Sequence, residues 1–74
     1  MEDWQTRIID EYCELTKRCL KLQDFLESDA AKDLSAADVA LLKTQYSYMN
    51  WYRDILMIRI ERFGGTIPSD EDMV

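Results

Sequence analysis

The sequence predicts an all-α fold: an antiparallel two-helix hairpin, similar to a coiled coil, whose copies assemble into a homo-oligomeric helical bundle. Apolar residues recur at alternating spacings of three and four along two long segments, which is the pattern of amphipathic helices. A helix-start signal at Ser35 separates the two segments. The 74 residues allow one domain, and a core in so short a chain seldom supplies more than about 3–5 kcal/mol without oligomerisation.

The first helix is predicted over about residues 3–28. Asp3 is a suitable N-cap, because its carboxylate can accept hydrogen bonds from the first turn. The polar residues 28–33 then form a link short enough to make the two helices antiparallel neighbours. The predicted seam of this helix, extended by Trp4 at its N-terminal end, is Ile8, Tyr12, Leu15, Cys19, Leu22 and Leu26.

The second helix is predicted over about residues 36–63. Ser35 can cap it, with Asp38 three positions later, and Leu34 can pack against Val39 as a hydrophobic staple. Residues 64–65 are both glycine, which helices favour just past their last turn. The seam of this helix is Val39, Leu42, Tyr46, Met49, Arg53, Leu56, Ile60 and Phe63.

Folding the chain about its link sets a register for the hairpin. Ile8 comes opposite Leu56, and Tyr12 comes opposite Arg53. The hairpin domain therefore covers residues 1–65. Residues 66–74, with a proline and the acids that carry half of the net charge, are predicted to be a disordered acidic tail.

Several apolar residues lie outside both seams, where two helices cannot cover them. Exposed apolar patches usually mark interfaces, and most soluble oligomers are built from identical copies. A homodimer or larger homo-oligomer is therefore predicted. The surplus residues on the second helix are Leu41, Tyr48, Trp51, Ile55 and Ile58.

Composition argues against several classes of function. The chain has no histidine and only two glycines, so it lacks a histidine-activated nucleophile and a glycine-rich phosphate loop. We expect no enzyme, no catalytic residue, no metal and no cofactor.

A net charge of −6 disfavours duplex nucleic acid as a partner. No apolar run approaches the ~20 residues of a membrane span, and no signal peptide is evident, so a cytoplasmic protein without membrane contact is expected.

Arg53 is the charged member of an otherwise apolar seam, and two interpretations remain open. It is either a structural arginine neutralised by Glu11 or Glu14, or a guanidinium held ready for a phosphate or carboxylate. The aromatic residues of the second helix have the same two uses. They either pack an oligomer interface or stack on a nucleobase. These aromatic residues are Tyr46, Tyr48, Trp51 and Tyr52.

Short motifs in both segments resemble a widespread group of small helical-hairpin proteins of phages and prophages, first noted in crAss-like gut phages. The resemblance covers residues 4–63. In the first segment the motifs are Trp4-Gln5, Arg7-Ile8-Ile9-Asp10-Glu11, Glu14-Leu15, Lys21-Leu22 and Phe25-Leu26. In the second they are Leu41-Leu42, Gln45, Met49, Tyr52, Ile55-Leu56 and Arg59-Ile60.

The hairpin is also similar in size and layout to the phage sponge proteins that counter CBASS and Thoeris defence. This similarity implies a phage anti-defence protein that sequesters a cyclic nucleotide or ADP-ribose-type signal in a pocket between subunits, in the cytoplasm of an infected host. The alternative is a protein–protein interaction module, an adaptor or inhibitor of a host protein without a small-molecule ligand. For the sponge, the predicted ligand-binding residues are Tyr12, Arg53, Tyr46, Trp51, Tyr52 and Arg59.

Overall fold

The chain folds as an antiparallel helical hairpin. The computed structural model describes residues 1–69, in which helix α1 (Asp3–Glu27) and helix α2 (Ala36–Arg62) pack side by side along their lengths. A 3₁₀ helix over Asp29–Asp33 joins them. The predicted hairpin is confirmed, and both α-helices end within one residue of the predicted bounds.

The cap of α1 differs from the predicted one. The helix begins at Asp3, but the N-cap residue is Glu2. The Gln5 side chain accepts a hydrogen bond from the Glu2 backbone N–H at 2.8 Å, which is half of a capping box and requires the cap to lie three residues before Gln5. Asp3 as N-cap was therefore wrong, because the glutamine sets the register of the cap.

The link between the helices has regular structure that the polar composition did not indicate. Ser28 closes α1 by donating its hydroxyl hydrogen to the Phe25 carbonyl at 2.6 Å. The following 3₁₀ turn buries the small side chain of Ala31 against the hairpin. Burial of Ala31 thus packs the otherwise polar link against the helices.

Both ends of α2 follow the sequence signals. The Ser35 hydroxyl accepts a hydrogen bond from the Asp38 backbone N–H at 3.1 Å, so the predicted cap is confirmed. At the other end Gly64 has φ +78°, a left-handed conformation that side chains disfavour. The Gly65 N–H then reaches the Ile60 carbonyl at 3.0 Å, completing the reversed hydrogen bonding of a Schellman motif.

Replacing Ser35 by alanine should lower the free energy of unfolding by about 0.5–2 kcal/mol, because the Asp38 N–H loses its partner. Urea titration followed by circular dichroism measures this change. Ser47→Ala is the matched control, since that exposed hydroxyl only donates to the Lys43 carbonyl within the helix and should matter by less than about 0.5 kcal/mol. Equal effects of the two substitutions would contradict the cap.

The core lies in the half of the hairpin where α1 begins and α2 ends. Its fully buried members are in the predicted seams, whereas the seam residues nearest the link are only half-buried. The core therefore tapers toward the turn. The residues that form its centre are Ile8, Tyr12, Leu15 and Cys19 of α1 with Leu56 and Ile60 of α2.

The segment after α2 lies against this core as far as it is described. Residues 66–69 have no regular secondary structure, yet Ile67 packs on the core cluster. The acidic residues of the predicted tail, residues 70–72, lie outside the described residues. The disordered tail stays a prediction.

Helix α2 carries a second apolar face on the side away from α1. We call Tyr48, Trp51, Ile55 and Ile58 the outer seam, and their exposed fractions are 64%, 64%, 42% and 55%. Tyr52 flanks the outer seam. Their predicted position outside the core is confirmed, whereas the oligomer that this exposed surface favours stays a prediction. Among the described residues, neither helix combines the length and apolar character needed to cross a bilayer.

Candidate functional site

Tyr12 and Arg53 meet between the helices, as the predicted register requires. The Arg53 Nη2 donates a hydrogen bond to the Tyr12 hydroxyl at 3.3 Å, and the guanidinium carbon lies 5.5 Å from the centre of the tyrosine ring. Tyr12 is 2% exposed. Glu11 and Glu14, the predicted partners of Arg53, are both exposed.

The geometry of this pair is that of a structural contact across the hairpin. A buried tyrosine needs a partner for its hydroxyl, and Arg53 supplies it while its stem fills the seam. An arginine at one position and a tyrosine opposite it also fix the register of the two helices. Tyr12 leaves little surface for a ligand in the single chain.

The remaining aromatic candidates lie in separate places. Tyr46 is half-buried and donates its hydroxyl hydrogen to the Gln23 Oε1 at 3.3 Å, which ties α2 to α1 near the link. Trp51 and Tyr52 point outward on the far side of α2. The six predicted ligand-binding residues therefore do not converge on one pocket within a single chain.

Arg59, the last of the six, lines a cleft at the end of the hairpin where α1 begins. The cleft has a volume of about 240 Å³, and its walls are Trp4, Arg59, Arg62 and Phe63. The Trp4 and Phe63 rings meet edge to face, with centroids 5.5 Å apart and planes at 83°. Trp4 is still 51% exposed, so much of its ring is available to a ligand.

Sequence reasoning did not place Trp4 or Phe63 at a binding site, although a signal existed. Extending the hairpin register by two turns from the contact of Tyr12 with Arg53 brings Trp4 opposite residues 60–61, within one turn of Phe63. Arg59 and Arg62 are three residues apart and so lie on the same face of α2. Both arginines are in the last turn of that helix, where cations interact favourably with the helix dipole.

The cleft combines the two contacts that nucleotides require. Guanidinium groups bind phosphate oxygens with paired hydrogen bonds. Aromatic faces stack on nucleobases, worth about 1–3 kcal/mol per base. Within residues 1–69 there is no group of three or more histidine, cysteine, aspartate or glutamate side chains placed to hold a metal ion.

Thr16 is a buried polar residue beside the core. It is 0% exposed, and its hydroxyl has no hydrogen-bond partner among the described residues. Replacing Thr16 by valine should raise the free energy of unfolding by about 1 kcal/mol, because an unpaired hydroxyl leaves the interior while the shape is kept. Thermal melts of both proteins measure the difference. A lower melting temperature for the valine variant would mean that the hydroxyl has a stabilising partner.

The two cysteines are free thiols with suppressed reactivity. Burial raises the pKa of Cys19, and Arg53 opposes that rise only in part. Burial also raises the pKa of Cys13, and the nearby carboxylate of Asp10 adds to the rise. Both groups therefore remain protonated thiols at neutral pH, which does not favour nucleophilic chemistry.

Comparison with known proteins identifies the family of the chain. The family model described as Sequestin matches residues 2–62, which include both helices and Trp4, Arg59 and Arg62 of the cleft. No curated protein matches the chain, and no solved structure matches it.

Proposed function

This chain belongs to the Sequestin family, and from that membership we propose that it is a phage-encoded anti-defence protein. In this proposal it binds a cyclic nucleotide or ADP-ribose-type immune signal and removes it from solution. The family description denotes sequestration, which supports a binding role without chemical conversion. The resemblance to small phage hairpin proteins supports the viral origin.

The observation that carries the proposal is the cleft of Trp4, Arg59, Arg62 and Phe63. Two arginines and two aromatic residues line one cleft with a volume of about 240 Å³. The ligand's phosphates would bind Arg59 and Arg62, while its base would stack on the exposed part of Trp4. The positive end of α1 lies at the same end of the hairpin and favours an anion there.

This assignment changes the roles of the predicted residues. Arg59 keeps the role of a phosphate contact. Tyr12 and Arg53 hold the register of the hairpin, and Tyr46 joins the helices near the link. Trp51 and Tyr52 are left exposed by the single chain, and they contribute to a site only where a second subunit covers them.

Isothermal titration calorimetry of the full chain tests the proposal. The panel would contain cyclic dinucleotides, cyclic trinucleotides, cyclic ADP-ribose isomers and ADP-ribose, with AMP as a control for weak binding to any nucleotide. We expect micromolar or tighter binding of at least one cyclic or ADP-ribose-type compound, with no change in its mass after release. Absence of such binding across the panel would refute the sponge function.

An interaction module for a host protein is the second candidate, favoured by the outer seam of α2. Exposed tyrosine and tryptophan are typical of protein interfaces. Affinity capture from host lysate separates the two functions. A stoichiometric host protein that is lost with Trp51→Glu supports the module, whereas a bound small molecule absorbing near 260 nm supports the sponge.

A further inference from the structure

The two faces of α2 are both apolar, which distinguishes it from α1. One face packs on α1 through Leu56 and Ile60, and the opposite face carries the outer seam. A helix that is apolar all round is normally buried all round. In α1, by contrast, the exposed positions are mostly charged. Four exposed apolar side chains therefore line one side of α2, whereas the exposed Trp4 and Phe25 of α1 lie far apart along that helix.

The spacing of the outer seam specifies what kind of surface fits it. Positions 48, 51, 55 and 58 step by three, four and three, the heptad spacing with which one helix packs lengthwise on another. Two of these residues are aromatic, and an aromatic side chain buries about 150–250 Å² when it is covered. The spacing of the outer seam thus favours packing against one apolar helix.

We propose that this helix is α2 of a second copy, packed antiparallel about a two-fold axis near residue 53. In that register Tyr48 packs against Ile58 of the second copy, and Trp51 packs against Ile55. The same two layers repeat on the other side of the axis, so that four consecutive layers are apolar on both sides. Such self-complementarity is what a two-fold interface requires.

Charge favours the antiparallel arrangement over the parallel one. A parallel pair in register would place Arg59 and Arg62 of one copy beside the same arginines of the other. The antiparallel pair separates these ends, and Arg62 comes opposite Thr44 of the second copy. The charged outer face of α1 in a second copy offers no comparable apolar complement.

The pairing covers the outer seam and provides the oligomerisation by which a core of this size is usually stabilised. It leaves Trp4 and the Trp4 side of the cleft outside the interface. Self-association therefore does not depend on the ligand of the proposed function. An experiment can refute the dimer without refuting ligand binding, and the reverse.

Sedimentation equilibrium and light scattering of the full chain test the pairing. We expect a dimer, or a larger assembly with an even number of subunits, for the natural sequence. Trp51→Glu should raise the dissociation constant at least about thirtyfold, as expected for a central aromatic anchor. Leu41→Glu is the control on the same helix, because Leu41 is 69% exposed and lies beyond the four layers. It should leave the assembly intact.

A charge exchange tests the orientation. Tyr48→Lys and Ile58→Glu should each weaken the dimer, and the double variant should recover it, because antiparallel layers then pair lysine with glutamate. Parallel layers would pair like charges, and the double variant would be the weakest of the three. Circular dichroism checks that each variant remains helical; both positions are more than half exposed, so the hairpin should tolerate them.

A natural sequence that stays monomeric at about 100 µM, or a Trp51→Glu variant that assembles as well as the natural chain, would overturn the proposal. Failure of the double variant to recover the dimer would overturn the antiparallel register. A monomeric Trp51→Glu variant that still binds the ligand in calorimetry would support the dimer interface and show that ligand binding does not require it.

Discussion

Leu56→Ala should lower the free energy of unfolding by about 2–5 kcal/mol, the range measured when a buried leucine is truncated. Leu56 is 0% exposed and contacts the core from the middle of the C-terminal half of α2. Because a core of this size supplies only about 3–5 kcal/mol, the variant should be largely unfolded at 37 °C. Chemical denaturation followed by far-ultraviolet circular dichroism measures the change.

Leu41→Ala gives the matched control, with the same substitution on the same helix. Leu41 is 69% exposed, so its truncation removes little buried surface and should change the free energy of unfolding by less than about 0.5 kcal/mol. A similar loss in the two variants would mean that the core does not lie between the helices as described. Both proteins should be compared at one concentration, since self-association adds to stability.

Arg59→Gln should weaken ligand binding by about 1.5–3 kcal/mol, the contribution of a charge-assisted hydrogen bond, or roughly 10- to 150-fold in the dissociation constant. The glutamine keeps a polar hydrogen-bond donor, but it is shorter and loses the charge that would meet a phosphate. The measurement is calorimetry with the compound of the panel that binds the natural chain. The loss should shrink at high salt, because the contact lies in an open cleft.

Arg18→Gln is the control for a general effect of charge. Arg18 is exposed on α1 and lies about 20 Å along the helix from Trp4, at ~1.5 Å per residue. Its replacement removes the same charge from the protein and should leave the affinity within about twofold. Equal losses for both substitutions would show that net charge, and not the cleft, determines binding.

Most of the fold could be predicted because it rests on local signals. The heptad spacings, the Ser35 cap and the glycine at position 64 act within a few residues of each helix end. The register followed as well, since a short link leaves few ways to pair two seams, and Tyr12 indeed meets Arg53. The sequence did not indicate the cap at Glu2, because glutamate is not a favoured N-cap residue. Here the Gln5 side chain supports it by accepting a hydrogen bond from the Glu2 backbone N–H.

The candidate site could be predicted only in part. Spacing along a helix gives a direction for each side chain, but it does not say which directions meet at the end of a hairpin. Tyr12 was grouped with Arg53 by the hairpin register, and the other four because they are aromatic or basic and lie nearby on α2. Three-dimensional packing, however, separates Arg53 from Trp51 by the width of α2. The heptad spacing places Trp4 at the end of the seam, but it does not identify the side chains that Trp4 meets across the hairpin.

The sequence by itself determined two helices, their ends, their antiparallel register and an excess of apolar surface, because each of these depends on residue order within a few turns. The tertiary structure alone decided which polar groups come together. It placed Arg53 against a buried tyrosine and brought Trp4 to Arg59 and Arg62 from the opposite end of the chain. Contacts between residues distant in sequence arise from packing, and packing depends on side-chain shape as well as on spacing.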